Sequence, residues 1–256
     1  MSTSTAARWR RRLRSAIRDR VRSRLDTVPP GRTQRLRRAR RSLERHAAGR
    51  PLRLLDAGCE TGLLALDLAA RHPDWEVLGV DIAPEPLAAA RAEAARRGLP
   101  RVVFATADLT RPWQGGTHDA VAALECLVEV PDHRAALRAL AAATRPGGLL
   151  VVQVPTDTWG PLFPFGERRW RREARHGYAR DELLALLDEA GFAVQRCEPT
   201  MRGVARGAQE LRDLVKSRGV AAQLALLPLT RAAVWLDDRG LTAGAPRSWY
   251  VEALRR

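Results

Sequence analysis

The chain is 256 residues long, 45% hydrophobic and 29% charged, ordinary for a soluble globular protein and long enough to bury a full core, so one domain plus an extension is the simplest count. Its net charge of +15 is local: residues 1–50 hold 17 of the 44 basic residues against 3 of the 29 acids, which leaves 27 against 26 in the remaining 206 residues. No apolar run reaches about eighteen residues, which excludes a spanning helix, and Cys59, Cys126 and Cys197 lack the spacing of a metal site or a disulfide frame, which points to a reducing, cytoplasmic compartment.

Trp9, Leu13, Ile17, Val21, Leu25 and Val28 recur at helical spacing, and Pro29-Pro30-Gly31 ends that helix. A second helix over 34–47 places Leu36, Ala39, Leu43 and Ala47 on one side. Residues 1–47 read as a basic, Arg-coated helical cap over one edge of the domain, because charge runs are usually solvated faces. The sharper alternatives are peripheral contact with anionic lipid headgroups, or nucleic acid held through residues 1–50. The N-terminus lacks the apolar core of a secretory signal, and an organelle transit peptide is a lesser alternative.

From residue 48 to 256 strands and helices alternate. A strand over 52–56 ends in Asp56; a Gly-bounded loop, Gly58 to Gly62, leads to a helix over 63–71 stopped by His72-Pro73. A second strand, 75–81, ends in Asp81, and Pro84 opens a helix to Arg97 with Gly98 as its stop. Strands follow at 102–105 and 119–124, then a helix from Pro131-Asp132 to about Thr144, a Pro146-Gly147-Gly148 turn and a strand over 149–154. The pattern implies α/β architecture with a doubly wound, mostly parallel sheet. Residues 156–178 form a long irregular insert, of the kind that serves as a lid or binding loop. A helix over 180–190, a strand over 192–197, a helical stretch over 208–236 with an apolar run at 224–229, and a last strand over 248–252 complete the chain. The segments 156–178 and about 205–240 are read as insertions on the substrate side.

Five blocks, LLDAGCETG (54–62), VLGVDIAPEPLAAAR (77–91), TADL (106–109), DAVAALECLVEVPD (119–132) and RPGGLLVVQVP (145–155), resemble in order and spacing the class I S-adenosylmethionine-dependent methyltransferases. The resemblance covers roughly residues 50–198 and implies a Rossmann-like methyltransferase fold with S-adenosylmethionine as cofactor. It implies that Asp56 places the methionine end, that Gly58, Cys59 and Gly62 shape the turn beneath it, and that Asp81 accepts the ribose hydroxyls. Ile82 would pack on the adenine, Asp108 would take its amino proton, and the Leu109 backbone would read the ring edge. Where the family has Gly-x-Gly-x-Gly, this chain has Glu60 at the middle glycine; the expectation is that Glu60 is tolerated and points partly to solvent. The loop lacks the G-x-G-x-x-G of dinucleotide folds, so a nicotinamide cofactor is a poor reading.

The segment after the fourth strand lacks the Asp/Asn-Pro-Pro-aromatic motif of exocyclic-amine nucleic-acid enzymes, and the chain has no Pro-Cys pair. It resembles instead the Glu-x-Leu-Glu-His-Val-Pro-Asp of small-molecule enzymes, with Val128 for the second Glu and Glu129 for the His. Glu125 is expected at the cofactor and, with Glu129, His176 and Tyr178, as a candidate base. A base is needed only for a poorly acidic acceptor, since in-line displacement at a sulfonium can run on positioning and desolvation. His46, His72, His118 and His133 read as surface or turn residues, and Cys59 and Cys126 as small packing residues. No metal site is expected. The function implied is methylation of a small-molecule O, N or C atom in biosynthesis of a secondary metabolite or lipid-like compound. The alternatives are a nucleic-acid or ribosome-associated methyltransferase and a non-catalytic cofactor-binding protein on the same fold.

Overall fold

A computed structural model describes residues 30–158, 160–162, 174–215, 218 and 220–256. The helix expected over residues 9–28 and the greater part of the 156–178 insert lie outside the described residues.

Seven strands, β1 (Arg53–Ala57), β2 (Glu76–Asp81), β3 (Val102–Thr106), β4 (His118–Leu124), β5 (Thr144–Pro155), β6 (Phe192–Thr200) and β7 (Ser248–Arg255), form one sheet in the order β3-β2-β1-β4-β5-β7-β6. Pairing is parallel from β3 to β5, and β7 runs antiparallel to both β5 and β6. The chain winds outward from β1 through β2 to β3 and then returns to β4 on β1's other side. That reversal leaves a crevice at the carboxyl ends of β1 and β4, where open α/β sheets bind ligands.

Alternation of side chains builds two cores from one sheet. Leu149 and Val151 of β5 join a cluster that contains Ala39, Leu43, Leu68 and Leu87, whereas Leu150, Val152 and Val154 join one with Leu137, Leu140, Leu183 and Leu187. The first face is covered by helices α1 (Pro30–Ala47), α2 (Leu63–Arg71) and α3 (Pro84–Arg97); the second by α4 (His133–Ala143) and α5 (Arg180–Glu189).

Three boundaries differ from expectation for identifiable reasons. Helix α1, expected from Gln34, opens at Pro30, because proline's missing N–H costs nothing in a first turn. The Pro146-Gly147-Gly148 turn is absorbed into β5 as an irregularity: His118 pairs with Thr144 and then Ala120 with Leu149, with Gly147 at φ 72°. The single helical stretch expected over 208–236 is three helices, α6 (Gly203–Leu214), α7 (Val220–Ala225) and α8 (Leu227–Asp238), with Pro228 in the first turn of the last.

Helix α1 is also placed differently from an edge cap. Ala39 and Leu43 are fully buried and Ala47 is 2% exposed, in the cluster under β4 and β5, the middle of the sheet. The boundary expected at residue 47 is one of charge and composition; residues 30–47 share a core with strands and helices of the domain beyond it. Among the described residues no helix is long and apolar enough to cross a membrane.

Candidate functional site

The turn from β1 into α2 is shaped by residues in the left-handed region: Gly58 at φ 70°, Glu60 at φ 52° and Gly62 at φ 71°. Glycine is required at two of them for space as well as for φ. A Cβ on Gly58 would lie 2.3 Å from Cys126 Cβ, and one on Gly62 would lie 2.6 Å from the Phe104 ring. The loop thus lies against the start of the β4–α4 connection on one side and β3 on the other.

Two carboxylates hold this turn. Asp56, 4% exposed at the end of β1, accepts the Ala65 N–H of α2 at 3.2 Å. Burial pushes its carboxyl up to about 7, opposed by that N–H and by Arg35. Asp81 accepts Glu60 N–H at 2.8 Å with one oxygen and Ala83 N–H at 3.0 Å with the other. Each oxygen keeps a second lone pair, so the same carboxylate that fastens the loop can accept vicinal hydroxyls. Ile82, next in sequence, is 67% exposed, an apolar surface the core leaves uncovered. Asp108 accepts the Thr110 N–H at 2.8 Å and its hydroxyl at 2.7 Å, which hold it below the usual carboxylate range; Leu109 is buried at 9% exposed. Glu60 directs a 57% exposed side chain to Arg32 at 2.6 Å, so the non-glycine residue in the loop has a partner at the surface.

Sequence reasoning missed the pocket's basic side. Arg32 and Arg35, three apart on α1, line the pocket together with Asp56, Gly58, Glu60 and Leu124. Arg35 Nη1 stands 3.8 Å from Glu125 Oε1, and its Nε has no hydrogen-bond partner among the described residues. Burial lowers its pKa, Glu125 opposes, and Arg32 and Arg247 lower it further. Seventeen arginines in residues 1–50 look alike in sequence; only the docking of α1 on the sheet singles out this one.

Glu125 stands across the site from Asp81. It has φ 66°, its N–H donates to Gln153 O at 2.7 Å, and its Oε1 accepts Gln153 Nε2 at 2.9 Å and Ser248 Oγ at 3.1 Å. A non-glycine residue held in that region by so many bonds is the kind of strain that functional sites keep.

Glu129, at the end of the short 3-10 helix Leu127–Glu129, and His176 are both exposed; like Glu125, neither is among the residues that line the pocket itself. Tyr178 is a correction: it is fully buried, its hydroxyl faces Leu127 O at 3.4 Å, the Arg175 guanidinium lies 3.9 Å over its ring, and burial pushes the phenol up, so its side chain packs in the core. His118 is a second correction, 4% exposed, with Nδ1 3.2 Å from Ala143 O; burial lowers its pKa. Cys59 is buried and Cys126 half-buried, and burial followed by the nearby carboxylates raises both thiols, Cys126 to about 12, which leaves them inert packing groups.

These carboxylates, glycines and arginines fit a nucleoside that carries an amino-acid tail: acceptors for hydroxyls at Asp81, an apolar surface at Ile82, a turn no Cβ can enter, and a guanidinium with an unpaired donor for a carboxylate. The family model for a methyltransferase domain matches residues 32–196. The chain is 35% identical over 183 residues to the demethylmenaquinone methyltransferase of Thermus thermophilus, covering 62% of this chain and 83% of that one. It is 30% identical over 219 residues to the trans-aconitate 2-methyltransferase of Streptomyces avermitilis, covering 80% and 77%. Among solved structures, that of the cyclase SpnF superposes with a TM-score of 0.56 at 26% identity, covering 80% of this chain and 74% of that one.

Proposed function

The chain belongs to the class I S-adenosylmethionine-dependent methyltransferases, and on that premise we propose that it methylates an O, N or C atom of a small organic acceptor, in biosynthesis of a secondary metabolite or lipid-like compound. The observation that carries the reading is the pairing of Asp81 with a loop built around Gly58 and Gly62, which is cofactor geometry, beside a polar cluster at Glu125 on the other side of the crevice. The two relatives, from Thermus thermophilus and Streptomyces avermitilis, act on a demethylmenaquinone and on trans-aconitate, both small molecules.

In this reading Asp81 takes the ribose hydroxyls, Ile82 and Leu109 flank the adenine, Asp108 accepts its amino proton, and Arg35 pairs with the cofactor's carboxylate. Asp56 faces the positive end of the methionine, and Gly58, Cys59 and Gly62 supply the turn. S-adenosylmethionine brings an activated methyl on a sulfonium; the chain's residues orient it and exclude water. Support for Glu125 as the base is its position: it follows Leu124, which lines the pocket, and stands 3.8 Å from Arg35, which lines it too. Glu129 and His176 belong to the surrounding rim. The three cysteines are free, which supports a cytoplasmic location.

Among the described residues, Arg32, Arg37, Arg38 and Arg45 of α1 are engaged with Glu60, Asp238, Glu198 and Glu252, so these four are not laid out as a phosphate track, which supports a small acceptor. A second reading, another chemistry or none on the same fold, draws on the likeness to SpnF. Screening phenolic, carboxylic and hydrophobic hydroxylated acceptors with methyl-labelled cofactor separates the two. Turnover of a small acceptor that fails in Glu125→Ala supports the proposal; cofactor binding with no methyl transfer to any acceptor class favours the second reading.

A further inference from the structure

Helix α1 has a second polar face, turned toward the segment between β6 and β7. Gln34 is 1% exposed, and its Nε2 donates to Asp237 Oδ2 at 2.7 Å and to Asp238 Oδ1 at 2.9 Å. Arg37 and Arg38 pair with Asp238 at 2.7 and 3.2 Å, and Gly31 N–H donates to Gln209 Oε1 at 3.0 Å. These partners all lie in the segment between β6 and β7, on α6 and α8. The first two turns of α1 are therefore held between that segment and the cofactor loop.

Asp237 is the anchor of the arrangement. Its side chain is fully buried, and it accepts Met201 N–H at 2.9 Å, Arg202 N–H at 3.1 Å and the Thr242 hydroxyl at 2.6 Å besides Gln34. Burial alone would raise its pKa, but the donors outweigh it and hold the carboxyl below its usual range, so the group is a fixed anion. The Arg202 guanidinium answers that charge with its Nε at 3.4 Å, and Gln34 adds a neutral donor from α1.

The two halves of α1 are secured differently. The C-terminal half is held by Ala39, Leu43 and Ala47 in the core and by Ser42 Oγ, 2.7 Å from both Tyr250 OH and Glu252 Oε1. The N-terminal half, which carries Arg32 and Arg35, has Leu36 only partly buried, and among its described side chains the buried one is the amide of Gln34. Gln34 immediately precedes Arg35, so its bond to Asp237 sets the rotation and height at which the guanidinium meets the pocket.

We propose that Gln34 and Asp237 are positioning residues: the buried amide–carboxylate bond between α1 and α8 holds Arg35 where it pairs with the cofactor's carboxylate, and so makes the β6–β7 segment part of the cofactor site. The inference rests on the proposed pairing of Arg35 with that carboxylate. It gives the segment a role distinct from walling an acceptor, since displacement of α8 displaces Arg35.

Two ligands separate positioning from general damage. S-adenosylhomocysteine carries the amino-acid carboxylate; 5′-methylthioadenosine has the same nucleoside and thioether without it. In calorimetric titrations of the full chain, Gln34→Ala weakens S-adenosylhomocysteine about fivefold or more and leaves 5′-methylthioadenosine within about twofold of wild type. Arg35→Met shows the same selectivity with a larger loss, and Gln34→Ala adds nothing in the Arg35→Met background. Asp237→Asn, which keeps the shape and loses the charge, follows Gln34→Ala; should it fail to fold, the Gln34 series decides alone. Equal loss of both ligands, unchanged S-adenosylhomocysteine binding in Gln34→Ala, or additivity with Arg35→Met overturns the proposal. If Arg35→Met itself leaves S-adenosylhomocysteine unaffected, the assignment of Arg35 falls first, and the positioning role with it.

Discussion

Asp56 and Asp81 end adjacent parallel strands, yet burial gives them different electrostatic lives. Asp81 is half-exposed and bonded through both oxygens, whereas Asp56 is buried with one backbone donor and a carboxyl raised to about 7. A raised carboxyl contributes stability that is full below its ordinary pKa and is lost as pH climbs through the folded value. Relative to Asp56→Asn, which keeps an acceptor for Ala65, the wild type should lose about 1 kcal/mol of stability per pH unit between pH 5 and 7. Thermal melts of the pair across that range check this, and parallel curves would mean that Asp56 ionises without penalty. Glu60 is the complementary case. Its φ of 52° costs a non-glycine residue about 1 kcal/mol, while its side chain sits at the surface with Arg32. Glu60→Gly should therefore change S-adenosylmethionine affinity by less than about tenfold in either direction; a larger gain would show that the loop is distorted for cofactor binding. The acids and glycines of this site were legible in sequence because each closes a strand or bounds a turn. Arg35 was not, because its role depends on which way a helix docks, and nothing local distinguishes it from the arginines around it.

At the scale of elements, the Gly58 turn and helix α1 carry the sharpest consequences. Gly58→Ala must relieve a contact 2.3 Å from Cys126 Cβ at positive φ, so it should destabilise the protein by about 2 kcal/mol or more and remove cofactor binding. Cys126→Gly in the Gly58→Ala background should recover part of the stability, as measured by urea denaturation; no recovery would mean that φ alone sets the cost. Leu43→Ala should cost about 3 kcal/mol by the same measurement, because the side chain is fully buried in the central core; a cost below about 1 kcal/mol would return α1 to the status of a surface cap. The helical spacing of Leu36, Ala39, Leu43 and Ala47 made α1 readable as a helix with one buried side. Its position over the middle of the sheet was not readable, since spacing names a face and never the surface it covers. The same limit explains why Tyr178 looked like a base: sequence placed it beside the site, and only the fold shows its ring under Arg175 and its hydroxyl against Leu127.

Over the whole molecule, the strand order β3-β2-β1-β4-β5-β7-β6 does two things at once. It opens the crevice between β1 and β4 to which the cofactor is assigned in the proposed reading, and it sets the antiparallel β7 beside β5, bringing Ser248 to Glu125 and the β6–β7 helices to α1. The alternation of strands and helices, read in sequence, was sufficient for the sheet, because parallel strands buried on both faces leave continuous apolar runs. The subdivision of the β6–β7 segment was hidden, since its apolar residues continue across the breaks at α7 and Pro228. Everything proposed for the acceptor and for Arg35 depends on this crevice being an S-adenosylmethionine site anchored by Asp81. The decisive experiment is calorimetric titration of S-adenosylmethionine and S-adenosylhomocysteine into wild type and Asp81→Ala. Binding in the micromolar range should weaken about a hundredfold in the mutant; no binding by the wild type, or equal binding by both proteins, would refute the assignment.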